Sequence, residues 1–513
     1  MTRSYGYSNM TIAVPSLSPL RLRLLIASLL TVSFLGALDH TVVSTSLATI
    51  AGDLGALDQM SVVIVAYTLA GTVLLPVFGK ISDLFGGRAV FLTSLAGFLA
   101  ASLFCGLAQT MTQLAIARVV QGIGAAGVQL ISQTIVAQTT SPRQRPKYLS
   151  IIGAAFPIAI LIGPLAGGVI TDTLGWRWVF WINIPIGAVA LALAAVAVPR
   201  IVGRSEKRFD AGGFLTFGVG TVATVLAASW GSAANPDHTG SALAALTVAV
   251  LAVAAFVVIE RRASEPLIPP RLFTDRTIVL CLILSAVIGI GLFSVVSYVP
   301  TYVQMVYRTS ATVSGAVPIA TVFGMLVSML LTGSVAGRTG RYRMFPIIGS
   351  ALSALGLFIM ALLPVGVPLW SPMIVMGVVG IGTGAFMNLI IAVVQSAADR
   401  RDTGAATATV NLVRQIGATA ATAIIGGLIG VGVAARLPAA LNASELTPQL
   451  VHAASAALQS EVALAYADVV RPVFVGLAIT YAIGFVAAVL LPAGRLPEES
   501  ELARSTTSES MVA

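Results

Sequence analysis

Fourteen separate stretches of this chain are mostly apolar, and each is about as long as the roughly 20 residues a helix needs to cross a bilayer. They lie near 24–48, 61–79, 89–108, 112–136, 148–170 and 178–198, then 211–231 and 240–259, then 277–302, 312–335, 344–364, 371–394, 404–432 and 471–492. One fold class accommodates that many such runs: an all-α polytopic membrane protein. Composition agrees, because 57% of the residues are hydrophobic and 10% charged, against roughly 25% charged in a soluble domain.

The net charge of +9 raises the question of nucleic acid. The basic residues nevertheless sit in short loops between apolar runs and not on one amphipathic face, the pattern of topology determinants. With the N-terminus placed inside, 23 of the 29 Lys and Arg fall on one side. Four fall on the other (Arg177, Arg308, Arg436, Arg471), and Arg118 and Arg414 lie within spans. Both termini are therefore expected in the cytoplasm. The segment before Arg21 is polar and lacks a short apolar core with a cleavage site, so the first span reads as an anchor and not a removable signal. Cys105 and Cys281 fall within apolar runs, and His40, His238 and His452 are scattered. No metal, cofactor or enzymatic activity is expected, and no phosphate-binding Gly-Lys-Ser/Thr loop is present to support ATP-driven pumping.

The runs divide the chain into a cytoplasmic N-terminus (1–23), a six-helix bundle (24–198), a linker with two more spans (199–276), a second six-helix bundle (277–492) with an outward loop (433–470), and a cytoplasmic tail (493–513). The two blocks of six look like a repeat. Gly79-Lys80-Ile81-Ser82-Asp83-Leu84-Phe85-Gly86-Gly87-Arg88 joins spans two and three, and Gly333-Ser334-Val335-Ala336-Gly337-Arg338-Thr339-Gly340 joins the corresponding pair. Asp83 is matched by Gly337. Such a parallel six-plus-six repeat is the architecture of a rocking-bundle transporter with its substrate between the halves.

Of the 20 acidic residues, Asp39 alone lies well inside a span. Ionisable groups at that depth are costly and mark ion or proton pathways. His40, about 100° around the helix, reads as packing. Arg118 lies a few residues into the fourth span, with Gly122, Ala125 and Gln129 on its face at helical spacing. Pro164 removes a backbone hydrogen bond and kinks its helix, while Gly163, Gly167 and Gly168 let another helix approach closely. Thr407, Asn411, Arg414 or Gln415, Ala418 and Thr422 line one face of the thirteenth span. Asp83 sits where a carboxylate can cap the N-terminus of a facing helix.

Several of these motifs together resemble the major facilitator superfamily, in particular its fourteen-helix drug:proton antiporters of EmrB/QacA type. Gly79–Arg88 looks like the superfamily's loop signature, and Leu38–Ile50 like the first-helix motif of the antiporters. Arg118-Val119-Val120-Gln121-Gly122-Ile123-Gly124 resembles the fourth-helix arginine motif, and Gly163-Pro164-Leu165-Ala166-Gly167-Gly168 the antiporter motif of the fifth helix. Trp176–Pro185 and Glu265–Pro269 are similar to signatures of the subfamily. The resemblance covers nearly the whole chain. It implies fourteen helices arranged six, two, six, and a proton-coupled antiporter that exports drugs or antibiotics by alternating access. An endogenous lipid or a self-made metabolite is the alternative cargo.

It further implies that Asp39 and Arg118 couple protons, that Gly79, Asp83, Gly86 and Arg88 latch the outward-open state, and that Gly163, Pro164, Gly167 and Gly168 seal and hinge the outer side. Gln129, Asn388, Asn411 and Arg414 are candidate cavity-lining residues. Later spans offer Asn388, Gln395 and Asn411 but no carboxylate, which favours lipophilic neutral or monocationic cargo over dications. The expected partners are a small lipophilic substrate, protons and membrane lipids, without nucleic acid. The expected setting is a monomer in a bacterial inner membrane.

Overall fold

In a computed structural model the protein is described over residues 17–55, 60–200, 210–230, 239–263, 265–436, 451 and 455–498. Most of the 1–23 segment, the linker at 201–209, much of the 433–470 loop and the tail beyond 498 lie outside the described residues.

The chain is helical. In order come α1 (Pro19–Asp53), α2 (Met60–Phe85), α3 (Gly87–Leu107), α4 (Met111–Thr139), α5 (Arg145–Leu174) and α6 (Trp178–Ala197). Next are α7 (Ala211–Trp230) and α8 (Thr239–Arg262). Then follow α9 (Arg276–Tyr307), α10 (Ala316–Thr339), α11 (Met344–Leu362), α12 (Trp370–Ala397), α13 (Thr403–Ala434) and α14 (Ala456–Leu490). Among the described residues thirteen of these are long and apolar enough to cross a membrane, and α7 offers a shorter apolar stretch, Ala211–Ala227.

The apolar runs extend through the ends the sequence suggests, with one correction. Helix α14 begins at Ala456, not near 471, so the second half of the expected outward loop is helix. Glu461, Asp468 and Arg471 interrupt the apolar run and hide its start. Ser455 nevertheless caps the helix by accepting from the Leu458 N–H, and Val462, Ala463, Ala467 and Val470 are buried.

Helices α1–α6 form one bundle and α9–α14 another, and the same pairings recur in each. Helix α2 packs on α4 as α10 packs on α12, α1 on α5 as α9 on α13, and α3 on α6 as α11 on α14. Glycine permits the closest crossings: a Cβ on Gly122 would lie 2.3 Å from the Tyr67 carbonyl oxygen, so α2 and α4 touch backbone to backbone. Helices α7 and α8 pack on each other, with α7 against α2. Many side chains on outer faces, such as Leu165, Leu246 and Ile424, are exposed, as expected where lipid is the solvent.

Candidate functional site

Helix α1 carries Asp39 into the first bundle with 1% of its surface exposed. A carboxylate at that depth needs hydrogen-bonding partners, and it has three. Its Oδ2 accepts from Arg118 Nη1 at 2.5 Å, and its Oδ1 accepts from Gln121 Nε2 and Asn183 Nδ2, each at 2.9 Å. Arg118 Nη1 also donates to Gln121 Oε1 at 2.6 Å, and Gln121 Nε2 donates to Ser102 Oγ at 2.8 Å. The guanidinium, itself 1% exposed, sits 4.0 Å from the centroid of the Tyr67 ring. Five helices thus converge: α1, α3, α4 and α6 supply hydrogen bonds, and α2 supplies the ring. Arg118 Nε and Asn183 Oδ1 are buried without a partner among the described residues. The cluster therefore has spare capacity to rearrange when the charge on Asp39 changes.

The pairing of Asp39 with Arg118 was legible in the chain; Gln121, Asn183, Ser102 and Tyr67 were not singled out. Gln121 is three residues from Arg118 and shares its face, and Asn183 lies within the Trp176–Pro185 motif. Ser102 carries no sequence signal. Gln129 is exposed and stands apart from the cluster, about three turns along α4 from Arg118. His40 is also exposed, its ring 6.1 Å from that of Tyr67.

A second set of polar contacts joins the two bundles at the end where α1 begins, which is also the arginine-rich end. Asp83 Oδ1 accepts from the Gly404 N–H and Oδ2 from the Ala405 N–H, both at 3.2 Å. These are free donors of the first turn of α13, where a helix dipole favours a carboxylate. The helices can approach because a Cβ on Gly79 would stand 2.8 Å from the Gly404 carbonyl oxygen. Gly86 takes φ +87°, allowing the turn from α2 into α3. Arg88 makes its contacts within the first bundle. Its guanidinium donates to the carbonyls of Ala195 and Val198 at 2.5 and 3.0 Å, tying α3 to the end of α6 within the first bundle. The repeat-related contact pairs α10 with α5, where a Cβ on Gly333 would lie 2.3 Å from Ser150 Oγ. Having Gly337 in place of a carboxylate, this side uses Arg143 Nη2, which donates to the Arg338 carbonyl at 2.6 Å.

The segment between α8 and α9 straps the same end. Glu265 pairs with Lys80 of α2 at 2.5 Å, and Arg271 grips Asp402, just ahead of α13, through Nε and Nη2 at 2.5 Å each. Glu260 shapes the strap by accepting from the Leu267 N–H at 3.0 Å.

Further from this end, Gln395 Nε2 donates to the Gln133 carbonyl at 3.1 Å, and Asn411 Nδ2 donates to Gln133 Oε1 at 2.7 Å. Asn388 lies against Gly153, where a Cβ would meet its amide at 1.9 Å, so the breaks in α5 (at Ala154) and α12 (at Asn388) face one another. Arg414 Nη2 donates to Asn411 Oδ1.

On α5, Gly163 and Gly167 admit α1 of the same bundle: Cβ atoms there would lie 2.1 and 2.4 Å from Thr41 Oγ1 and Thr45 Oγ1. Gly168 has no such neighbour within 4 Å, and the helix continues through Pro164, with its break at Ala154 instead. Gly163→Leu and Gly167→Leu should therefore each destabilise the protein by about 1–3 kcal/mol, and Gly168→Leu should be tolerated. Melting temperatures of the purified variants check this contrast; equal values for all three would contradict the packing.

A family model described as Major Facilitator Superfamily matches residues 29–422. A relative from Mycobacterium tuberculosis, named only as an uncharacterized MFS-type transporter, is 34% identical over 483 residues, covering 93% of this chain and 70% of its own. The multidrug transporter protein MdtP of Bacillus subtilis is 31% identical over 406 residues, covering 79% and 75%. Among solved structures, the human organic anion transporter MFSD10 superimposes with a TM-score of 0.62 at 14% identity, covering 92% of this chain and 100% of that one, a likeness of fold.

Proposed function

The chain belongs to the major facilitator superfamily, and from that premise we propose that it is a proton-coupled antiporter that exports lipophilic small molecules across a bacterial inner membrane. As a member of a transporter family it is not an enzyme. In this reading fourteen spans are arranged six, two, six, as in the EmrB/QacA subfamily, and the arginine-rich end faces the cytoplasm. The contacts around Asp83 then close the cytoplasmic side, and the conformation described is outward-facing.

The observation that carries the proposal is a fully buried acid whose counter-ion rests on a helix that reaches the latch. Tyr67, under the Arg118 guanidinium, belongs to α2; so does Asp83, which holds α13. A proton arriving from outside neutralises Asp39 and removes the charge that orients Arg118. Removing one member of a buried pair is worth about 3–5 kcal/mol, most of the roughly 5.5 kcal/mol that carries a two-state equilibrium from 1:99 to 99:1. The relieved cluster repacks against Tyr67, α2 shifts, and the latch loosens. Opening toward the cytoplasm then returns the proton, and re-pairing of Asp39 with Arg118 resets the cycle.

Support for efflux comes from MdtP, a relative named as a multidrug transporter. The carboxylates described within the helices of the second bundle, Glu461 and Asp468 of α14, are exposed and none is buried there to balance a dication, so the proposed cargo is lipophilic with at most one charge. A test is a resistance panel in a bacterial strain lacking its own efflux pumps. Expression should lower the accumulation of at least one lipophilic compound, and a protonophore should restore it. Efflux that survives the protonophore would overturn the coupling.

A further inference from the structure

We propose that Arg414 receives an anionic group of the cargo, so that the transported class is a monoanionic amphiphile such as an organic acid with an apolar body. The inference rests on the export reading and sharpens it. Among the described residues Arg118 and Arg414 are buried well inside spans, and their surroundings differ. Arg118 has Asp39 at 2.5 Å. Arg414, 8% exposed, has no carboxylate paired with it among the described residues; Nη2 reaches Asn411 Oδ1, and Nη1 is buried without a partner.

The location fits a cargo site. Asn411, which accepts from Arg414, donates in turn to Gln133 of the opposite bundle, so the guanidinium lies at the seam between bundles. It sits one turn further along α13 than that cross-bridge, away from the joined end. Near the same seam the rings of Phe156 on α5 and Phe293 on α9 come within 6.3 Å of each other, offering aromatic surface to an apolar body.

Chemistry sets the sign of the charge. A guanidinium in a span without a counter-ion is costly, and such groups mark substrate and ion pathways. Its planar fork matches a carboxylate, while a cation at the same place would be repelled. The lack of buried carboxylates in the described later spans argues against dications; the unpaired guanidinium now turns the expected neutral or monocationic cargo into an anionic one.

Fluorescence titration of the purified protein with dansylaminoundecanoic acid and with its methyl ester tests this. The wild type should bind the acid about tenfold or more tightly than the ester, as expected for a hydrogen bond to a charged group. Arg414→Gln should erase the preference by weakening the acid alone, and Arg414→Lys should keep part of it. If Arg414→Gln does not fold, competition on the wild type decides: laurate should displace the probe and dodecylamine should not. Equal binding of acid and ester, an undiminished preference in Arg414→Gln, or displacement by dodecylamine as effective as by laurate would overturn the assignment. Protonophore-sensitive efflux of a neutral dye without any acid preference would sink this inference and leave export standing. Acid preference without proton-driven movement would do the reverse.

Discussion

Asp83→Ala should make a cysteine placed at Thr407 react at least tenfold faster with an impermeant thiol reagent supplied from the arginine-rich end. Thr407 is fully buried at the seam, where its Oγ1 accepts from Gln395 Nε2 at 3.0 Å. It therefore reports whether that end is closed. Asp83 satisfies two otherwise free N–H groups at the start of α13. Leaving a buried donor unpaired costs about 1–3 kcal/mol, and the dipole interaction adds about 0.3–1 kcal/mol. A loss of about 2 kcal/mol shifts a two-state equilibrium roughly 30-fold. The strap through Lys80–Glu265 and Arg271–Asp402 remains in that variant, so opening should be partial, and further loss of Glu265 should add to it. The native cysteines are buried and can be replaced by Ser to clear the background. Unchanged labelling would mean that the carboxylate does not hold the bundles together.

The second large effect is at Asp39. Export against a gradient needs an energy source, and one charge moved down 100 mV releases about 2.3 kcal/mol, enough for roughly 50-fold accumulation. To use it, a group must gain a proton on one side and lose it on the other, with the change felt by the moving parts. Asp39 meets the structural requirement: its two oxygens hold three donors from α4 and α6, including the guanidinium that lies on α2. Asn at this position keeps the shape and some hydrogen bonds but loses the exchangeable charge. Asp39→Asn should therefore abolish uphill export while cargo exchange down its gradient survives.

How much of this could be read before any fold was known differs by residue. The apolar runs mark the helices because a bilayer demands length and hydropathy, and a carboxylate in such a run, Asp39, points to a counter-charge in another span. Arg118 was the evident partner. Its hydrogen-bonded neighbours were harder, because Gln129 lies near the helix face of Arg118 but about three turns along α4, whereas Gln121, one turn away, is within reach of the guanidinium. Asp83 was readable as a helix cap, but which helix it caps depends on how two bundles dock, with Gly404 more than 300 residues away. The turn of Arg88 toward the α6 carbonyls, and the strap ion pairs, come from that same docking. Arg414 drew notice as a charge in a span; that no acid meets it among the described residues is a statement about three-dimensional neighbours.

Transport into proteoliposomes under an imposed pH gradient tests the account most directly, with counterflow in the absence of a gradient run alongside as a check on folding. The wild type should concentrate a lipophilic acid against its gradient. Asp39→Asn should catalyse counterflow and concentrate nothing. Undiminished uphill transport by Asp39→Asn would contradict proton coupling through this acid.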